Sequence, residues 1–166
     1  MPIHTDSPRR VFEKLLAGIC ERRWDDLPAL YDENTVVTHP HALPRPMRIE
    51  GREQVRAHFA HFAQLPITLS ARNVVVHETI DPEVLIAEFD YLGRAPSTSP
   101  AMPGEAALPN GSAVLSTGKT FQLSNVMVMR VRNGQIVSSH DYHNHAAFAE
   151  VVGGLSALMA RLDLVA

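Results

Sequence analysis

The chain has 166 residues, a formal net charge of −3 and a single cysteine, Cys20. This length suits one domain with a full core, and the scattered charges, with no basic stripe, disfavour a nucleic-acid partner. No apolar run approaches the ~20 residues of a membrane span, the N-terminal residues lack the pattern of a secretory signal, and one cysteine excludes an internal disulfide. We therefore expect a cytoplasmic protein with no membrane partner. Nine histidines are the one compositional hint of chemistry, because histidine changes charge near neutral pH.

The N-terminal part of the chain predicts helices on either side of one strand. Ser7-Pro8 has the form of an N-cap followed by a first helical position, and apolar residues then recur at helical spacing. A β-branched run ends at His39, and the prolines that follow predict an irregular loop. Predicted helices cover residues 8–22, 24–31 and 51–65, and the predicted strand covers 35–39.

The second half of the chain predicts a sheet. Asn133-Gly134 lies between two alternating runs and is a strong hairpin signal, because both residues tolerate positive φ. The segment from about 94 to 117 carries four prolines and two glycines, so it cannot be regular throughout. We interpret it as a flexible proline-rich insertion, either a lid, a partner surface or a disordered loop. Strands are predicted at 67–78, 84–92, 119–132 and 135–145, and a C-terminal helix at 146–164.

Helices followed by a run of antiparallel strands indicate the α+β class. The strands must curl around the helices to bury them, which predicts a cone-shaped, curved antiparallel sheet that encloses a cavity. No internal repeat or second domain is visible, so residues 1–166 are expected to form one domain.

The last predicted strand changes from apolar to polar along its length. Successive side chains of a strand point to opposite faces of the sheet. Ser139, Asp141 and His143 therefore share one face, and His140 and Tyr142 share the other. The alternation alone does not say which face meets a cavity.

Three segments resemble the family that contains nuclear transport factor 2, ketosteroid isomerase and the SnoaL-like polyketide cyclases. Residues 24–40 combine a short acidic helix that ends in Leu-Tyr with a β-branched strand that ends in His-Pro, where the family has Asp-Pro. Residues 48–55 are similar to the family's Gly-Arg-Glu helix start, and residues 133–137 to its last hairpin. Residues 77–82 and 88–90 resemble small phenazine-biosynthesis proteins of the same fold. The resemblance covers most of the chain outside 94–116, and it is more specific for the fold than for the reaction.

The resemblance assigns family positions to individual residues. The general base of ketosteroid isomerase is the aspartate of the Asp-Pro step, and His39 stands there. The isomerase's oxyanion-hole tyrosine corresponds to Leu15, and its second donor falls near Val126 or Met127, so the resemblance argues against steroid isomerisation. A supporting tyrosine corresponds to Tyr31 and is retained.

On the last strand, the family's cavity-facing positions fall on Ser139, Asp141 and His143. This assignment yields an acid–base hypothesis. His39 would act as the base, and Asp141 would orient it or serve as a second acid or base. His143 and Tyr31 would donate hydrogen bonds to a substrate oxygen. The remaining predicted substrate-binding residues are His58, Phe59 and Ser139, and the residues predicted to line an apolar cavity are Val37, Phe59, Phe62, Phe89, Val126 and Val128.

The hypothesis implies a SnoaL-like isomerase, cyclase or dehydratase that acts on a small, mostly apolar carbonyl compound, such as a biosynthetic intermediate. The alternative is a non-catalytic small-ligand-binding or assembly protein of the same fold, in which His39 only packs and Asp141 is solvated. Histidine pairs at strand spacing resemble metal ligands, but only Asp141 offers a third ligand. No metal and no cofactor are therefore predicted. From the resemblance we also expect a homodimer through the exposed sheet face.

Overall fold

The computed structural model describes residues 5–94, 120–151 and 154–163. Four α-helices and one short 3₁₀ turn accompany six strands. The helices are α1 (Pro8–Cys20), α2 (Arg52–Ala63), α3 (His145–Val151) and α4 (Leu155–Asp163), and the 3₁₀ turn is Leu27–Leu30. The strands are β1 (Tyr31–His39), β2 (Met47–Glu50), β3 (Thr68–Glu78), β4 (Val84–Arg94), β5 (Thr120–Arg132) and β6 (Gln135–His143).

The six strands form one sheet in the order β2-β1-β6-β5-β4-β3. Neighbouring strands are antiparallel, except that β1 and β6 run parallel, with Val37 opposite Ser139 and Thr38 opposite His140. The predicted antiparallel sheet is thus mixed at its centre. Because β1 and β6 run in the same direction, their C-terminal ends lie together, which brings His39 to the polar end of β6.

The inner face of the sheet packs on α1 and α2 to form the main core. Phe12 of α1 contacts Phe89 of β4, with ring centroids 5.6 Å apart. The guanidinium of Arg52 donates to the Tyr31 carbonyl at 2.7 Å and so fixes the start of α2 against β1. Fully buried residues include Leu85, Met129 and Ile136 from three different strands. The helices therefore cover the inner face of the sheet.

Most predicted elements are confirmed, with bounds shifted by a few residues. The turn at Asn133 and Gly134 has φ values of 51° and 75°, as its sequence predicts. Two predictions were wrong: Tyr31 begins β1 instead of ending a helix, and the predicted loop after His39 gives way to the short strand β2 at Met47. The C-terminal helix is two helices on either side of residues 152–154.

Most of the insertion predicted at 94–117 lies outside the described residues. Among the residues that are described, no helix is long and apolar enough to cross a membrane.

Candidate active site

A cavity of about 370 Å³ lies between the inner face of the sheet and the helices α1, α2 and α3. Its wall is mostly apolar, which suits a small, largely apolar ligand. Eight aromatic residues contribute to the wall: Trp24, Tyr31, Phe59, Phe62, Phe89, Tyr91, Tyr142 and Phe148.

The polar end of β6 supplies a carboxyl group to this cavity. Ser139 is buried, and its hydroxyl donates to Oδ1 of Asp141. Burial raises the pKa of Asp141 from 3.8 to about 6, and the hydrogen bond from Ser139 opposes that rise. Asp141 is therefore a carboxyl group that exchanges its proton close to physiological pH.

Four histidines from four elements converge in the wall of the cavity that Asp141 also lines. His39 ends β1, His58 lies on α2, His143 ends β6 and His145 begins α3. Ring centroids are 5.5 Å apart for His39 and His58, 5.2 Å for His39 and His143, and 4.9 Å for His143 and His145. The Asn144 side chain caps α3 by accepting from the Ala147 amide at 3.0 Å, which fixes the turn that carries His145.

The histidine cluster is uncharged at neutral pH. Burial, followed by the neighbouring His143, His58 and His145, lowers the pKa of His39 from 6.5 to about 3. Burial also lowers the pKa values of His58 and His143 to about 4, and lowers the pKa of His145. Each ring then offers one N–H donor and one acceptor nitrogen, and none brings a fixed positive charge.

His39 is the most unusual member of the cluster. His39 is only 6% exposed, and neither Nδ1 nor Nε2 has a hydrogen-bond partner among the described residues. Leaving buried polar atoms unpaired costs about 1–3 kcal/mol per group. Such a residue is expected where a ligand supplies the missing partners.

Two tyrosines lie near Asp141. Burial raises the pKa of the Tyr31 hydroxyl well above its usual value, and the Asp141 charge raises it further. The pKa of Tyr91 on β4 is raised mainly by burial, with smaller contributions from Cys20 and Asp141. Both hydroxyls therefore stay protonated and can only donate or accept hydrogen bonds.

The structure brings most of the predicted site residues to one cavity. Ser139 lies behind the wall, where it supports Asp141. Continuing the β1–β6 register by one residue places His39 next to Asp141, yet the hydrogen bond predicted to orient His39 is not formed. The predicted residues that line the cavity are Tyr31, Val37, His39, His58, Phe59, Phe62, Phe89, Val126, Asp141 and His143.

Several lining residues were not predicted from the sequence, among them Tyr91, Asn125 and His145. Tyr91 follows Phe89 at strand spacing, so alternation alone could have identified it. Val128, predicted to line the cavity, does not; the neighbouring Met127 occupies the inner face instead.

The histidines of the chain could also be examined as metal ligands by their arrangement in space. Among the described residues, no three His, Cys, Asp or Glu side chains are arranged to hold a metal ion. His41, one of the histidines weighed as a ligand, is exposed and stacks near Tyr142, with ring centroids 5.5 Å apart.

Known proteins of similar sequence identify the family of this chain. The family model of the SnoaL-like domain matches residues 12–139. An uncharacterised PhzA/B-like protein from Pseudomonas aeruginosa is 31% identical over 145 residues, which are 87% of this chain and 86% of that protein.

Solved structures support the same fold. A proposed isomerase from Bacillus subtilis is similar with a TM-score of 0.68 and 27% identity, covering 87% of this chain and 91% of that chain. A proposed polyketide cyclase from Pseudomonas putida has a TM-score of 0.65 at 16% identity, covering 89% and 98%. A ketosteroid isomerase-like protein from Catenulispora acidiphila has a TM-score of 0.62 at 16% identity, covering 89% and 95%. The likeness to the last two shows the fold alone.

The family match, the curled sheet on its helices and the enclosed cavity agree with the resemblance seen in the sequence. This chain belongs to the SnoaL-like family, within the nuclear transport factor 2-like superfamily, and has the ketosteroid isomerase-like fold.

Proposed function

We propose that the protein is an enzyme that moves a proton on a small, mostly apolar carbonyl compound, as an isomerase, cyclase or dehydratase. The observation that carries the proposal is that both ring nitrogens of buried His39 lack a hydrogen-bond partner among the described residues, in the wall of an apolar cavity that Asp141 also lines. Buried groups left unpaired in this way suit a site that binds and polarises a substrate.

Asp141 is the better base of the pair at neutral pH. A general base works best when its pKa lies near the working pH, and the pKa of Asp141 is about 6. The pKa of His39 is about 3, so its imidazolium would lose a proton almost at once. We therefore assign proton removal to Asp141 and keep His39 as an uncharged hydrogen-bonding group, which exchanges the roles that the sequence suggested.

The proposed step is balanced within the cavity. An Asp141 oxygen takes a proton from the carbon next to the carbonyl group. The electron pair of the broken C–H bond forms a C=C bond, and the carbonyl oxygen becomes an enolate. An N–H group of His39 or His143, or the Tyr31 hydroxyl, stabilises that oxygen by donation. Protonated Asp141 then returns the proton to the same carbon or to another one.

Hydrogen exchange tests this proposal without knowledge of the natural substrate. In D₂O near neutral pH, the protein should catalyse deuterium incorporation next to the carbonyl group of 1-tetralone, measured by ¹H NMR. Asp141→Asn should reduce the catalysed rate by about 10²- to 10⁴-fold, the usual contribution of a general base.

The matched control is Asp90→Asn, which changes an aspartate on the other face of the sheet that also has a serine donor. Its rate should stay within about twofold of the original protein, because surface changes away from a site have small effects. If no ketone of this size exchanges while 1-tetralone still binds, the non-catalytic alternative replaces the enzyme. Equal rates for both variants would remove Asp141 from the mechanism.

We also propose a homodimer through the outer face of the sheet. Val75 and Leu92 are 49% and 37% exposed there, and exposed apolar side chains grouped on a sheet favour association. Sedimentation equilibrium of the original protein and of Val75→Glu tests this, with a dimer expected for the first and a monomer for the second. A monomer at all concentrations in both would reject it.

A further inference from the structure

The charges that face the cavity have one sign. Among the described residues that line it there is no lysine or arginine, and Asp141 is the only carboxylate. The four clustered histidines of the wall are uncharged because their pKa values are lowered, and the fifth lining histidine among the described residues, His61, is exposed to solvent. At neutral pH the ionised form of Asp141 thus has a serine donor but no cationic side chain in the wall.

The aromatic wall has the composition that favours positive charge. Trp24 lies against Phe59 and Phe62, with ring centroids 6.2 Å and 6.3 Å apart, and Phe62 lies 6.0 Å from Phe148. The faces of aromatic rings carry partial negative charge and attract ammonium groups, most strongly where water is excluded.

Three classes of ligand can be compared on these grounds. An anionic ligand would meet Asp141 and no positive partner. An uncharged ligand would leave the Asp141 charge buried and uncompensated, which is costly in an apolar environment. A cation would neutralise Asp141, lie against the rings and donate to an acceptor nitrogen of His39, which has no partner in the protein.

We propose that the cavity binds a small organic cation, an ammonium or iminium compound whose charged nitrogen lies near Asp141 and whose apolar part packs against the aromatic wall. The inference rests on the proposed function for its use of Asp141 as a base. Removing a proton from the carbon next to an iminium group gives a neutral enamine and a neutral Asp141. That step leaves no net charge in the cavity, whereas the same step on a ketone transfers the negative charge to the enolate.

Binding of two compounds of the same shape tests the inference separately from turnover. The probes are (3-hydroxyphenyl)trimethylammonium and 3-tert-butylphenol, which differ by a charged nitrogen in place of a carbon. Trp24 is the only tryptophan of the chain and lines the cavity, so its fluorescence reports occupancy. The cation should bind at least about fivefold more tightly at neutral pH, a preference of the size expected for a partly desolvated ring site.

Asp141→Asn should remove this preference while retaining affinity for 3-tert-butylphenol, and Asp90→Asn should keep it. Equal or tighter binding of 3-tert-butylphenol by the original protein, a preference unchanged in Asp141→Asn, or binding of neither probe would overturn the inference. Exchange of 1-tetralone is measured independently, so loss of the charge preference with exchange intact would reject the cation and retain the enzyme.

Discussion

Both faces of the sheet carry histidines, but the two faces differ in whether the ring nitrogens are hydrogen-bonded within the protein. On the outer face, His140 is hydrogen-bonded to Thr38 at 2.6 Å, and His77 donates to Glu88 at 2.7 Å. On the inner face, His39 is buried and neither of its ring nitrogens is bonded. Among the described residues, the buried side-chain atoms without a hydrogen-bond partner are both ring nitrogens of His39 and the indole nitrogen of Trp24, which belong to the cavity wall, and the hydroxyl of Thr35, which does not. Unpaired buried groups lower the stability of the fold, and such groups in a cavity wall are typical of a site that binds a ligand.

The two faces also hold matched aspartates. Asp90 on the outer face accepts from Ser124 at 2.6 Å and from Asn73 at 2.8 Å, and these hydrogen bonds lower its pKa, with that from Ser124 the largest cause. Asp141 also accepts from a serine, yet burial raises its pKa to about 6. Since both carboxyl groups have a serine donor, burial explains the opposite shifts. The predictions below compare these two faces.

The largest expected effect is on catalysed exchange when a buried histidine is replaced. His39→Leu keeps the volume of the side chain but removes both ring nitrogens. We expect the exchange rate of 1-tetralone to fall about 100-fold, the range found when one stabilising donor is lost. The outer-face control His140→Leu should retain its rate within about twofold. If both variants lose the same activity, the difference between the faces has no catalytic meaning.

The second expected effect is on stability in acid. The folded pKa of His39 is about 3 and its unfolded value 6.5, so the unfolded chain binds the proton first and stability falls as the pH drops from 6.5 toward 3. Between pH 7.5 and 4.5, His39 alone should account for about 2–3 kcal/mol of lost stability.

The raised pKa of Asp141 acts with the opposite sign, since its burial penalty is relieved as the pH falls through about 6. The measurement is therefore a difference between urea unfolding curves of the original protein and His39→Leu at both pH values. Between pH 7.5 and 4.5, the free energy of unfolding of His39→Leu should fall less than that of the original protein. The difference should equal the amount attributed to His39. Parallel pH dependence in the two proteins would mean that His39 is not buried in its neutral form.

The third expected effect is on the pH dependence of exchange. Asp141 acts as a base only when ionised, so the catalysed rate should fall about tenfold between pH 7 and pH 5 around an apparent pKa near 6. NMR exchange rates in buffers of constant ionic strength measure it. Asp90→Asn should give the same profile. A profile that stays flat through this range would exclude Asp141 as the base.

The smallest expected effect is on stability at neutral pH. His39→Leu removes two unpaired polar atoms from the core and should raise the free energy of unfolding by about 1 kcal/mol. His140→Leu removes a satisfied hydrogen bond and should lower it by roughly 0.5–1 kcal/mol. Changes of opposite sign in the free energy of unfolding of the two variants at pH 7.5 would support the difference between the faces. Destabilisation by both substitutions would contradict it.

Local sequence patterns predicted much of the fold and part of the site. The Asn133-Gly134 turn needs positive φ at two positions, and few residues other than these provide it. Strand alternation placed Asp141 and His143 on one face and His140 on the other, as the structure has them, but Tyr142, predicted on the face of His140, also contributes to the cavity wall. Applied to β4 in the same way, alternation would also have found Tyr91.

Other features depend on tertiary packing and carry no local signal. The parallel pairing of β1 with β6 joins strands far apart in sequence. The residues around His39 therefore do not indicate that β6 lies next to it. His145 reaches the cavity only because α3 turns back over it. The pKa of Asp141 lies above that of His39, which exchanges their expected roles. This order follows from burial, and the extent of burial cannot be predicted from the local sequence.

The pairing of β1 with β6 has a further consequence for how the protein is made. Thr38 and His140, which are bonded across it, are 102 positions apart. At a synthesis rate of roughly 5–20 residues per second, β1 waits on the order of 5–20 s for the strand that completes the cavity. Closing so long a loop is also entropically slow. The wall of the cavity is therefore complete only after β6 has been synthesised, and a nascent chain that stalls before β6 carries His39 without Asp141.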